Sequence, residues 1–175
     1  MAQSRNWQRI LGRLIRHRWR DESDTRRAIP PELVQRLAGR VAASERRHSG
    51  EVRIFVEAGL PVSYLLDDAT PRERAVAMFG KLRVWDTEDN NGVLIYLLLA
   101  EHAIEIVADR GLSSVVDEGE WQRIVERMGN AFKDGRFEEG LTLALEEVSA
   151  LLVAHFPLGN GQADRNELPD ESVLG

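Results

Sequence analysis

The chain contains no cysteine. That excludes a disulfide framework, thiolate-bound zinc, iron–sulfur clusters and thiol catalysis. No run of 18 uninterrupted apolar residues occurs, so no segment reads as a membrane-spanning helix. Neither GxxxxGK(S/T) nor GxGxxG is present, which removes the glycine-rich phosphate and dinucleotide loops, and there is no GxSxG elbow. No organic cofactor is therefore expected. The four histidines (His17, His48, His102 and His155) form neither HxxxH nor HExxH, and each reads as a solvated or capping residue rather than a ligand. Residues 1–20 interleave Arg5, Arg9, Arg13, Arg16, Arg18 and Arg20 with apolar residues. A secretory signal needs an uninterrupted apolar centre instead, so the cytoplasm is the expected compartment.

What is present suits one domain with or without an arm: 175 residues, 43% hydrophobic and 30% charged. A chain of this size closes a core without staples. The net charge of −6 argues against nucleic acid as a partner. Charge is uneven, however. Residues 1–27 hold eight arginines against Asp21, Glu22 and Asp24, a net of +5, which leaves −11 for the remainder.

Periodicity divides the chain. Trp7, Ile10, Leu11, Leu14, Ile15 and Trp19 share one face of a helix over Arg5–Trp19, with arginines elsewhere. Pro30-Pro31 opens a second helix, Glu32 to about His48, which Ser49-Gly50 ends. Residues 51–57 alternate strictly, with Val52, Ile54 and Val56 on one side and Arg53, Phe55 and Glu57 on the other. Pro61–Asp68 reads as irregular. Thr70 caps a helix to about Leu82, with Pro71 at its first turn and Glu73 three residues on. Val93–Leu99 is a continuous apolar run, a strand covered on both faces. Glu101-His102 turns it into Ala103–Ala108, closed by Asp109-Arg110-Gly111. Gly119–Lys133 and Phe137–His155 complete the pattern as helices. The first two strands, joined through a helix, are expected to be parallel, and the third antiparallel. The fold class is α/β: a three-layer αβα sandwich with a small mixed β-sheet and helices on both faces. The expected divisions are a basic amphipathic helix over 1–28, the αβα domain over 29–157, and a disordered polar tail over 158–175.

The densest chemistry lies in Asp86-Thr87-Glu88-Asp89-Asn90-Asn91-Gly92, three carboxylates and two amides before the most buried strand. Hard divalent cations take such oxygens. The loop is not an EF-hand, since Asn91 stands where that loop needs glycine and Leu97 where it needs glutamate. The alternative is turn chemistry alone, with Gly92 at positive φ. Hairpin register brings Asp109 within reach of the loop, and ligands in open α/β sheets gather at strand carboxyl ends. The candidate metal residues are Asp86, Glu88, Asp89, Asn90 and Asp109, for Ca2+ or Mg2+. Asn91, Gly92, Arg110 and Gly111 are candidate binding residues beside them.

Several stretches resemble one family: Glu45-x-x-His48-Ser-Gly-Glu51-Val-Arg53, Arg72-x-Arg74-Ala75 with Phe79, Val84 to Tyr96 through Asn91-Gly92-Val93-Leu94, and Ile106-Val-Ala-Asp-Arg-Gly111. Together they resemble the TPM domain family over about Ser44–Phe156, in its short bacterial branch without signal peptide or membrane anchor. The resemblance implies an αβα sandwich and divalent-cation binding at acidic loops beside the sheet. It also implies either phosphatase activity or an accessory role for membrane complexes. Trp85-Asp-Thr-Glu88 departs from the glycine-rich stretch of longer members, and Asp109-Arg110 from their Gly-Tyr.

Phosphate chemistry needs a nucleophile or activated water plus positive charge. Arg110 supplies charge, but no histidine, serine or lysine in the loop couples to it. The expected function is thus an accessory, protein-interaction module, monomeric, with an unidentified protein partner, either free or membrane-associated. A metal-dependent phosphatase is the alternative. A second alternative is a peripheral factor held at the inner face of the membrane through the basic N-terminal helix.

Overall fold

The computed structural model describes residues 10–15, 17 and 27–158, together with the backbone of 173–174. Of the helix expected over Arg5–Trp19, residues 10–15 and 17 are described and are helical, while Trp7 and Trp19 lie outside the described residues. Most of the expected tail, 159–172 and 175, also lies outside them.

Helix α1 (Pro31–Glu45) starts with Pro31 at its first position, where a missing N–H costs nothing. Strand β1 (Val52–Glu57) follows. The stretch read as irregular holds a five-residue helix, α2 (Val62–Leu66), too short for a period to show. Helix α3 (Pro71–Lys81) carries the expected capping box: Thr70 accepts from the Glu73 N–H and the Glu73 side chain returns to the Thr70 N–H. Strands β2 (Val93–Leu98) and β3 (Ala103–Ala108) form the hairpin, turned by a 3-10 segment, Leu99–Glu101, with His102 at φ 50°. A one-turn helix, α4 (Arg110–Ser113), α5 (Glu118–Lys133) and α6 (Phe137–His155) follow. The last element is a two-residue strand, β4 (Val173–Leu174).

The sheet order is β3-β2-β1-β4. As expected, β1 and β2 are parallel, Ile54 opposite Ile95, and β2 and β3 are antiparallel, Ile95 opposite Ile106. The alternation of β1 sorts the faces. Val52, Ile54 and Val56 join Val93, Ile95, Leu97 and Ile106 under α1, α5 and α6, with Leu37, Met128, Leu141 and Val148 among the fully buried side chains. Phe55 joins Leu94, Tyr96, Leu98 and Val107 under α2 and α3, against Leu65, Ala75 and Met78. Helices cover both faces, so the αβα sandwich holds. Each fully buried Leu, Ile or Met contributes about 1.5–3 kcal/mol.

The N-terminal segment packs beside the second layer. Ile10 is buried. Arg13 reaches Glu101 Oε1 at 2.7 Å, Asp68 Oδ1 at 3.0 Å and the Ala69 carbonyl at 2.7 Å. His17 Nδ1 accepts from the Leu60 N–H at 2.8 Å, so the ring hydrogen sits on Nε2, which donates to Glu101 Oε1 at 2.9 Å. Two histidines depart from the solvated reading: His17 and His48 are buried.

Candidate functional site at the β2–β3 rim

Three segments meet where β1 and β2 begin and β3 ends: 48–51, 86–92 and 109–111. This end is set by backbone bonds. Glu51 O accepts from the Val93 N–H at 2.8 Å, Gly92 O from the Asp109 N–H at 2.9 Å, and Asn90 O from the Gly111 N–H at 2.8 Å. The rim is therefore at the amino ends of the parallel pair, not at the carboxyl ends where open α/β sheets more often bind ligands.

Within the loop, Thr87 closes a turn: its carbonyl accepts from the Asn90 N–H at 3.3 Å and its hydroxyl from the Asn91 N–H at 3.1 Å. Asn90 takes the left-handed conformation, φ 53°. The expectation that Gly92 does so is corrected, because Gly92 has no positive φ. Its constraint is space: a Cβ there would lie 1.8 Å from the Val84 carbonyl oxygen. Gly111 is crowded alike, with Asp89 O at 2.4 Å and Asn90 O at 2.6 Å from a would-be Cβ.

The rim side chains are linked. Asn91, fully buried, donates from Nδ2 to Ser49 Oγ at 3.1 Å, and Ser49 donates to Asp89 Oδ2 at 3.1 Å. Arg110 Nε donates to Asn90 Oδ1 at 2.9 Å, and Asp109 Oδ1 caps α4 by accepting from the Arg110 N–H at 2.6 Å. At the rim two buried side-chain oxygens have no hydrogen-bond donor among the described residues: Asn91 Oδ1 and Asp109 Oδ2. Such atoms cost about 1–3 kcal/mol each unless something pairs with them.

The structure thus brings together Asp89, Asn90, Asn91, Gly92, Asp109, Arg110 and Gly111. Asp86 and Glu88 are exposed. Among the described residues, no group of three or more His, Asp or Glu side chains is arranged to hold a metal ion. A cation here would draw on amide and carbonyl oxygens as well as carboxylates.

Ser49 was not among the expected site residues, although it stands in the His48-Ser-Gly stretch. His48 is fully buried. Its Nε2 pairs with Ser44 Oγ at 2.9 Å, and its Nδ1 has no hydrogen-bond partner. Burial lowers its pKa to about 4, which keeps the ring neutral. It faces Ser44, not Ser49, so the rim hydroxyl has no imidazole base.

No curated protein matches the chain. Among solved structures it is similar to BA42 from the psychrophilic bacterium Bizionia argentinensis, at 26% identity and a TM-score of 0.73 over 84% of this chain and 95% of that one. It also shares its fold with the N-terminal domain of a protein from P. gingivalis, at 22% identity and a TM-score of 0.60 over 74% of this chain and 81% of that one. The TPM domain family model matches residues 23–151, which takes in β1 to β3, helices α1 to α5, most of α6 and the whole rim, and the chain belongs to that family.

Proposed function

We propose that this TPM domain is an accessory, protein-binding module whose β2–β3 rim takes a divalent cation, Ca2+ or Mg2+. The observation that supports the reading is the pair of donor-less buried oxygens, Asn91 Oδ1 and Asp109 Oδ2, on two segments already tied by backbone hydrogen bonds. Both are hard oxygens of the kind such ions take, and the same two segments bring the Asp89 and Asn90 carbonyls close against Gly111. A bound ion would lock the loop to the α4 cap and so order the surface offered to a partner.

The phosphatase alternative has less support. Ser49 is bonded to Asp89 and Asn91 rather than to an imidazole, and Arg110 already donates to Asn90. The membrane alternative runs through arginines of the N-terminal helix, and Arg13 is engaged by Asp68 and Glu101. Among the described residues no helix is long and apolar enough to cross a membrane.

The test is a Ca2+ and Mg2+ titration of the full chain followed by amide NMR. Saturable shifts confined to 87–92 and 109–111, weakened by Asp89→Asn and by Asp109→Asn, support the reading. Unchanged spectra at millimolar ion, or shifts that survive both substitutions, overturn it.

A further inference from the structure

We propose that the free edge of β3 is a docking site for an extended, arginine- or lysine-bearing segment of a partner protein, which adds to the sheet as a further strand. The proposal rests on the protein-binding part of the reading above and is independent of the cation.

The edge is defined by hydrogen-bond parity. Antiparallel partners alternate between residues that bond across the pair and residues that point away from it. The Asp109 N–H bonds to Gly92 O. By register, Val107 and Glu105 bond across to β2 as well, and Ala108, Ile106 and Ile104 point outwards. The structure verifies the parity at one position, because the Ile106 carbonyl accepts from Arg72 Nη1, which comes from outside the sheet. No backbone bond closes the outward groups of Ile104 and Ala108 among the described residues. β3 is the end strand of the sheet, so this row of donors and acceptors is a template for another strand.

A groove of about 450 Å3 runs along the row. One wall is Arg72 of α3, from one face of the sheet, and the other is α5, from the opposite face. Trp121 and Val125 give the α5 wall an apolar base, and Glu118 and Glu126 give it charge. Glu105 adds a third carboxylate from β3 itself, and burial raises its pKa despite Arg72 at 3.5 Å. Three carboxylates against one guanidinium select a cationic occupant. Strand addition sends alternate side chains to the α5 wall, where arginine or lysine stems cover Trp121 and Val125 while their heads reach Glu118 and Glu126. Main-chain bonds to an edge strand supply affinity and the alternate side chains specificity, as in other strand-addition sites. Arg72 holds the Ile106 carbonyl in the free chain, in the place of an incoming peptide N–H.

The probe is an eight-residue peptide alternating arginine with valine or threonine, blocked at both ends and fluorescently labelled, added to the full chain in EDTA. Saturable binding with amide shifts at Ile104, Ile106 and Ala108 is expected. The double variant Glu118→Lys/Glu126→Lys, both exposed positions, should weaken binding at least tenfold. Arg72→Ala should tighten it severalfold. Methylating the peptide nitrogens that face β3 should abolish binding, whereas methylating the alternate nitrogens should not. That comparison separates strand addition from charge attraction without altering the protein. No saturable binding, equal loss with either methylation pattern, or self-association of the chain through 104–108 overturns the proposal. Because the measurement excludes divalent ions, its failure leaves the rim titration standing, and the reverse also holds.

Discussion

Arg74 grips Glu57 with two prongs inside the second layer of the sandwich: Nη2 to Oε1 at 2.5 Å and Nε to Oε2 at 3.0 Å, both side chains largely buried. Tyr96 donates to the same Glu57 Oε2 at 2.8 Å and stacks on Phe55. Burial, and then the Glu57 charge, pushes the Tyr96 phenol up, so it stays protonated and remains a donor. The Arg74 guanidinium also sits 4.9 Å from the Tyr64 ring centre. A strand that alternates apolar and charged residues is thus buried on both faces, because the charge that faces the second layer is matched inside it.

Removing one partner strands the other in a dry site. Arg74→Ala and Glu57→Ala are each expected to lower stability by about 3–5 kcal/mol, and the double variant Glu57→Leu/Arg74→Met to recover most of it. Urea unfolding monitored by far-UV circular dichroism measures all three. Single variants within 1 kcal/mol of the parent would show that the pair is not desolvated.

Two glycines give opposite expectations. Gly92→Ala forces a methyl group into the Val84 carbonyl, backbone that cannot swing aside, so on the order of 3–5 kcal/mol is lost. Gly39 lies on the exposed side of α1 with nothing within 4 Å of a would-be Cβ. Gly39→Ala should add about 0.5–1 kcal/mol through helix propensity. Thermal midpoints of the two variants should therefore move apart, Gly92→Ala down and Gly39→Ala up.

How far the sequence could be read follows from the range of each signal. Face assignment in β1, the capping box at Thr70 and the 93–108 hairpin all rest on residues a few positions apart, and the structure matches each. α2 and α4, at five and four residues, are too short for a helical period to repeat and so reveal them. The site splits the same way. Residue types drew attention to 86–92, and register added Asp109. But Ser49 enters from 40 residues before Asp89, and Asp86 and Glu88 stay exposed, which composition does not encode. Glu57 and Arg74 were visible as charges, and their pairing was not, since no periodicity ties a strand residue to a helix residue 17 positions on.

His48 makes stability pH-dependent in a definite direction. Its folded pKa of about 4 lies below the ordinary value of 6.5. Between those values the unfolded chain binds a proton that the folded chain does not, so stability falls as pH drops through the window. The slope from this group is at most about 1.4 kcal/mol per pH unit. Urea midpoints from pH 7 to 5, above the main carboxylate range, should fall in the parent and fall much less in His48→Gln. Parallel curves would mean that the ring is protonated in the folded state.

Negligible phosphatase turnover is expected from the purified chain. The rim holds carboxylates, amides, one hydroxyl and one arginine, and an acyl or phosphoryl transfer through Ser49 would need a base to take its proton. Asp89 accepts the Ser49 hydrogen bond, but it lies exposed at the rim. His48 is turned to Ser44 and held neutral inside the core, out of reach of that proton. The remaining route is a water activated by a bound cation, which needs an open coordination position as well as affinity. Hydrolysis of p-nitrophenyl phosphate from pH 5 to 8, with and without Mg2+ or Ca2+, measures this. Rates at the buffer background in all conditions are the expected result. Metal-dependent turnover abolished by both Asp89→Asn and Asp109→Asn would instead make the rim a catalytic centre. Turnover unchanged by either substitution would not come from the rim, because every route to a nucleophile there passes through one of those two carboxylates.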